Sequence, residues 1–280
     1  MTRATGQPPP PRFHAPPPTP PEPPEPPERR GAMRTQKWQL VALLVGVVLV
    51  LGAVFVVVTR KGPSNTSNER AANPNVVHTV SGELKGRQEA TLEVQGGAES
   101  VIVHNADLNN LLFSASTLPG STVEPVATDD GTLVTLGLKG TSVAGQATVH
   151  VYLNQNVRWQ VRLAGGGLQQ QLEFASGKLA SLEMMASAGT IELTLPKAEG
   201  SMPIKLAGGA GQLSIHVPNG PPLQLKLGPN SSAGTVTVDG KARTGVQAGT
   251  TITPDGWANA KDRYDVEVGG GIAVITVDRR

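Results

Sequence analysis

Apolar and polar residues alternate strictly in several short runs of the second half of the chain. Thr148-Val149-His150-Val151-Tyr152-Leu153 does so, as do Thr190–Leu195, Gln212–Val217 and the shorter Thr235–Val238. A period of two places one face of a strand in a core and the other in water. The last three runs start about 22 residues apart, which marks an internal repeat. Second strands lie between them, at Trp159, Val161 and Leu163, then Ile204 and Leu206, then Leu223, Leu225 and Leu227. Glycine-bearing turns follow at 164–167, 207–211 and 228–234. A further, less regular unit fits between Leu168 and Gly189, through Leu172, Phe174, Leu182 and Met184. Its segment LASLEMMA also suits a short helix.

Strands this short cannot bury an apolar face alone, but stacked coils share a continuous core. The pattern therefore predicts an all-β, β-solenoid (β-helix-like) domain over residues 76–280, with a Greek-key sandwich as the alternative. Regular coils are expected over 148–240. Residues 76–147 form an irregular opening part, with strands at Thr91–Val94, Val101–His104, Leu111–Phe113 and Leu133–Leu138 and a turn at Asp129-Asp130-Gly131. Residues 241–280 are expected to cap the far end, Trp257 and Tyr264 packing there ahead of strands at Asp265–Val268 and Ile272–Val277. Sugar stacking is the functional alternative for that aromatic pair.

Upstream, the pattern changes. From Leu40 to Val58 run 19 residues without a charge, enough to cross the hydrocarbon core of a bilayer. No A-x-A-like cleavage site follows, so a signal anchor is expected over 38–59, with Trp38 at its interface. Arg29, Arg30, Arg34 and Lys37 precede the span, and Arg60 and Lys61 follow it. The balance of basic flanks places the N-terminus in the cytoplasm and the C-terminal domain outside. Residues 1–37 read as a disordered tail, because 13 of the 24 prolines fall between Pro8 and Pro27. A polar linker occupies 60–75.

Composition then narrows the chemistry. The 280 residues contain no cysteine, which excludes disulfides, thiolate metal sites and a cysteine nucleophile. Residues 1–61 hold 8 basic and 3 acidic side chains, whereas 62–280 hold 16 and 19. The folded part is thus slightly acidic, and nucleic-acid binding is not expected. Only 9 aromatics occur, 3% of the chain, in keeping with a narrow aliphatic core.

The series AGTIELTLP, GGAGQLSIHVPNG and AGTVTVDG, followed by PDGWANAKDRYDVEVGGGIAVITVDR, resembles bacterial envelope proteins of the putative-adhesin and cell-wall-active-antibiotic-response type. The resemblance spans roughly residues 80–280. It implies a β-solenoid domain, often tethered to a membrane helix and mostly without assigned activity. Some such relatives regulate envelope-stress signalling, and the family offers no catalytic motif to carry over.

A search for reactive constellations leaves none standing. Gly208-Gly209-Ala210-Gly211 matches the turn of a calcium-binding repeat, but Leu213 occupies the aspartate position. Gly140-Thr141-Ser142-Val143-Ala144 lacks the final glycine and the strand-to-helix context of a nucleophile elbow. Asp129-Asp130 and the Asp262/Asp265 pair read as turn and surface charge. Four histidines lie beyond the linker: His78, His104, His150 and His216. His150 should share an outward column with Glu192, Ser214 and Thr237, and His216 should lie one pair further along, beside Thr194 and Asp239. The two would stand about three coils, roughly 14 Å, apart and could not share a metal ion. No catalytic, cofactor-binding or metal-binding residue and no cofactor is therefore expected. The sequence reads as a non-enzymatic, single-pass membrane protein presenting a β-solenoid for adhesion, scaffolding or wall interaction. Its partners would be the membrane and an envelope protein or cell-wall polymer. A regulator of envelope-stress signalling acting through the cytoplasmic tail is the alternative.

Overall fold

The computed structural model describes residues 76–280. The expected tail, membrane span and linker lie outside the described residues. Among the described ones, no helix is long and apolar enough to cross a membrane.

Alternation becomes structure in the segment Thr148–Asn154. Val149, Val151 and Leu153 are fully buried, while His150 and Tyr152 point to the other face. The same two-residue period organises two sheets. Sheet A contains β1 (Thr79–Glu83), β3 (Ser100–Ala106), β4 (Leu111–Thr117), β7 (Thr148–Asn154) and β9 (Gly167–Glu173). It continues through β11 (Ala188–Thr194), β13 (Ala210–Val217), β15 (Ala233–Val238), β16 (Lys241–Val246) and β19 (Ile272–Arg279). Sheet B contains β2 (Glu89–Gln95), β5 (Val123–Asp129), β6 (Leu133–Gly140), β8 (Arg158–Leu163) and β10 (Lys178–Met184). It is completed by β12 (Ser201–Leu206), β14 (Leu223–Leu227), β17 (Thr251–Ile252) and β18 (Arg263–Val268). The inward residues of both sheets form one core, led by Trp159, Tyr264, Phe113 and Phe174 among many Val, Ile and Leu. The described domain is all-β.

Consecutive strands alternate between the sheets from β6 to β15, giving paired rungs that stack in parallel. The spatial order of rungs differs from chain order. It runs β6/β7, β2/β3, β8/β9, β10/β11, β12/β13, β18/β19, β14/β15. The chain lays down β2/β3, places β6/β7 on one side of it, and then builds away on the other. Near its end it leaves a gap beyond β12/β13, forms β14/β15, and fills the gap with β18/β19.

This arrangement alters three expectations. Residues 241–280 are not simply a terminal cap, because β18 and β19 pair in parallel on both sides within the sheets. Residues 76–147 hold one full rung, β2/β3, and the β6 half of the rung that β7 completes beside it. The segment LASLEMMA is strand as far as Met184 and not a helix, with a register shift between Leu179 and Ser181 where it meets β8. The physical reason is common to all three: a vacant place between parallel strands offers unpaired backbone groups on both sides, and any strand of matching pattern satisfies both rows. Antiparallel strands finish each end: β4 and β1 beyond β7, β5 beyond β6, β16 beyond β15, and β17 beyond β14.

The glycine-rich turns are explained by close backbone approach. A Cβ on Gly165 would overlap the carbonyl oxygen of Gly96, and one on Gly270 would strike the backbone of Gly208 and Gly209. Successive corners therefore stack backbone on backbone, which only glycine permits.

Candidate functional site

Strand register sorts the outward residues of sheet A into straight columns. One runs Thr148, Ser100, Gln169, Thr190, Gln212, Val274, Thr235. The next runs His150, Ile102, Gln171, Glu192, Ser214, Thr276, Thr237. A third runs Tyr152, His104, Glu173, Thr194, His216, Asp278. The expected companions of His150 thus share its column, and Thr194 stands beside His216, but β19 inserts between β13 and β15 and puts Asp278, not Asp239, on the other side of His216. The separation of His150 from His216 also differs, because β3 lies between β7 and β9 and makes it four strand spacings, about 19 Å.

That intervening strand creates the most organised group of polar side chains on the face. His104 of β3 sits between Tyr152 of β7 and Glu173 of β9. Glu173 Oε2 lies 2.7 Å from His104 Nδ1, and its Oε1 accepts a 2.8 Å hydrogen bond from Gln171 Nε2. The other nitrogen of His104, Nε2, stands 3.4 Å from His150 Nδ1. Tyr152 stacks on the His104 imidazole, with ring centroids 5.0 Å apart and planes 16° apart. The two imidazoles are within 6° of parallel, with centroids 5.7 Å apart. Their nitrogens, closer than their centroids, meet edge to edge.

The electrostatics follow from this geometry. The hydrogen bond from His104 holds the Glu173 carboxyl below its usual pKa, against the opposing effect of burial. Burial, reinforced by the charge of His104, pushes His150 down and favours its neutral form. Burial and the nearby Glu173 push the Tyr152 phenol up. Beside the group, a shallow depression of 380 Å³ is lined by Ser100, Ile102, Thr148, Leu168 and Gln169, among others. Leu168 is 65% exposed on its rim.

Other residues weighed from sequence fall into structural roles. His216 is buried at 5% exposure, with Asp278 Oδ1 2.6 Å from Nδ1 and Glu192 Oε1 3.6 Å from Nε2. It is therefore an inter-strand clasp rather than an exposed strand histidine. Asp129 and Asp130 accept hydrogen bonds from backbone N–H groups of their own turn, and Asp129 also pairs with Arg87. Asp262 accepts one from the Gly200 N–H at 2.7 Å. Ser142 is exposed in the loop between β6 and β7. Tyr264 is wholly buried on β18, its hydroxyl donating to Pro196 O at 2.8 Å. Trp257 lies under the Arg263 guanidinium and donates to Tyr264 O, so the two aromatics are not an exposed sugar-stacking pair. His78 remains near Glu124, 3.9 Å away.

The grouping of His104, Tyr152 and Glu173 with His150 is absent from the sequence reading. No spacing signals it, because residues 46 and 69 positions apart meet only through the order of the rungs.

No protein-family model matches the chain, and no curated protein matches it. Among solved structures, the chain is similar to a "putative cell adhesion protein" from Clostridium sporogenes, with a TM-score of 0.54 and 14% identity. That alignment covers 74% of this chain and 100% of the other. The likeness is one of fold. A "putative adhesin" from Bacteroides fragilis aligns over 72% of this chain and 97% of the other, at 9% identity and a TM-score of 0.26, too loose to carry an argument.

Proposed function

We propose that the protein is a non-enzymatic, single-pass envelope protein whose residues 76–280 form a β-solenoid-like domain outside the cytoplasm, held by the apolar span at 38–59. Its task is adhesion or attachment to a wall polymer. The observation that carries this reading is the outer face of sheet A, where seven parallel strands align polar side chains into straight columns. A face dominated by Ser, Thr, Gln and Glu, interrupted by Ile102 and Val274, suits a repetitive ligand such as a polysaccharide, since most rungs present similar hydrogen-bonding groups at the strand spacing. The fold-level likeness to a structure titled a putative cell adhesion protein points the same way.

The reading predicts that the full-length protein, reconstituted in membrane vesicles, binds immobilised wall polysaccharide. Thr190→Arg with Gln212→Arg, which add bulk and charge to neighbouring rungs of that face, should weaken binding at least tenfold. Gln160→Arg on the exposed face of sheet B should leave it unchanged. Equal binding by all variants removes sheet A from the function, and release of sugars from the polymer overturns the non-enzymatic reading. Protease added to intact cells should digest the domain and spare the tail. Loss of signalling on tail deletion, with normal surface display, would favour the regulatory alternative.

A further inference from the structure

Register along the outer face of sheet B lines up charge. One column of outward side chains runs Glu93, Arg162, Glu183, Lys205, Glu267, Lys226, from β2 through β8, β10, β12 and β18 to β14. The sign changes at every step. Uncharged Thr135 and Thr251 stand at its two ends. Insertion of β18 between β12 and β14 keeps the alternation, since Lys205 and Lys226 would otherwise be neighbours. All six side chains reach solvent. We propose that this ladder is the interface of a two-fold symmetric homodimer, in which the outer faces of two B sheets pack together.

The ladder is complementary to its own reversal. Six places of alternating sign, read backwards, carry the opposite charge at every place. A two-fold axis parallel to the strands, midway between β10 and β12, reverses the ladder and keeps each column opposite itself. Glu93 of one copy then faces Lys226 of the other, Arg162 faces Glu267, and Glu183 faces Lys205. A two-fold interface needs such self-complementarity, and opposed charges fix its register. Within one chain the charges are mostly left open. Of the five neighbouring pairs, only Arg162 and Glu183 approach to salt-bridge distance among the described residues, at 3.5 Å. The adjacent column, Thr91, Gln160, Ser181, Pro203, Asp265 and Gln224, is uncharged except at Asp265, which the axis sets against Gln160. One further column brings Arg158 opposite Arg263. That guanidinium is turned onto the Trp257 ring and the Ala258 and Ala260 carbonyls, and Arg158 has Glu89 beside it.

Size sets the strength. Six strands about 4.8 Å apart and about 20 Å long cover roughly 600 Å² per copy, near the lower end for specific association. Exposed ion pairs are individually weak and are screened by salt. The dimer is therefore weak and salt-sensitive. It leaves both A sheets facing outward, so association and polymer binding use opposite faces of the domain.

Purified full-length protein in mild detergent should be followed by sedimentation velocity over a concentration series. A monomer–dimer equilibrium is expected, weakened at least tenfold when salt is raised from about 50 to about 500 mM. Glu183→Lys and Lys205→Glu should each weaken association at least tenfold, because like charges then meet on both sides of the axis. Combining the two restores the facing pairs and should recover association, although it sets like charges side by side within the chain. A ladder that serves only the fold predicts a double variant no better than either single one. If these variants misfold, Glu93→Lys and Lys226→Glu, alone and together, repeat the test at the outer pair. The chain lacks cysteine, so geometry can be read by cross-linking. Ser181→Cys, about 11 Å from its copy, should be joined by a short bismaleimide, and Gln224→Cys, about 26 Å from its copy, should not. The proposal is overturned if the wild type stays monomeric, if the single variants associate as the wild type does, if the double variant fails to recover, or if the cross-linking pattern is reversed. No polymer is present in these measurements, so they stand apart from the adhesion reading.

Discussion

At the scale of single residues, the domain depends on polar atoms that have one correct partner and on glycines that have no room. The Tyr264 hydroxyl donates to Pro196 O and accepts from the Ala198 N–H at 3.1 Å, all of it buried. Tyr264→Phe removes both bonds and leaves a backbone donor and acceptor unpaired. A loss of about 1–3 kcal/mol is expected, read as a lower urea midpoint with an unchanged m-value. Gly165→Ala drives a methyl group into the Gly96 carbonyl, whereas Gly140 has open space around its Cβ position. The first substitution should cost about 1–3 kcal/mol or more, and Gly140→Ala less than about 1 kcal/mol in either direction. Equal melting temperatures for the two variants would contradict the stacked-corner geometry. The turn glycines were legible in the sequence as turn residues. Their packing was not, because Gly165 meets Gly96 only when two rungs lie in contact.

At the scale of elements, alternation identified most strands and burial kept them. The inward positions of β7, β8 and β13 are those marked by Val149, Trp159 and Leu213. The strands that escaped notice, β1, β5, β16 and β17, lie at sheet edges where one side lacks a strand partner, so their patterns are weaker. An ion pair ties the β1 and β5 edges to each other: Arg87, in the turn after β1, donates from Nη1 to Asp129 Oδ1 at 2.9 Å at the end of β5, and makes a second bond to Oδ2. The Arg87 hydrogen bond holds the Asp129 carboxyl below its ordinary pKa, opposed by burial. Because the folded pKa is depressed, the stabilisation is complete above the unfolded carboxyl pKa and is lost as pH falls through the folded value. Asp129→Asn should therefore lower the melting temperature at neutral pH, and the difference from wild type should shrink in acid. A pH-independent difference would assign the effect to the Asn side chain rather than to the pair. At the opposite edge, β16 carries exposed Lys241 and Arg243, charges that discourage pairing with another chain.

At the scale of the whole molecule, the decisive feature is the order of rungs. Because β18/β19 separates β12/β13 from β14/β15, removal of residues 261–280 takes out an internal layer. Such a truncation should expose the inward residues of β12 to β15 and abolish amide protection in β14 and β15, as seen by hydrogen exchange. A domain that kept protection there would show that the last strands are dispensable trim. The same logic produced the His104–His150 group at the other end, where β3 lies against β7. The sequence by itself determined the all-β class, most strand positions, most inward and outward faces and the companions of His150, since each follows from a two-residue period and local turn chemistry. Only the tertiary structure decided which rungs are neighbours. Parallel strands of similar pattern fit one another almost interchangeably, and the choice among them rests on backbone groups left unpaired by distant parts of the chain. Glycine and histidine acquired their particular roles through that choice.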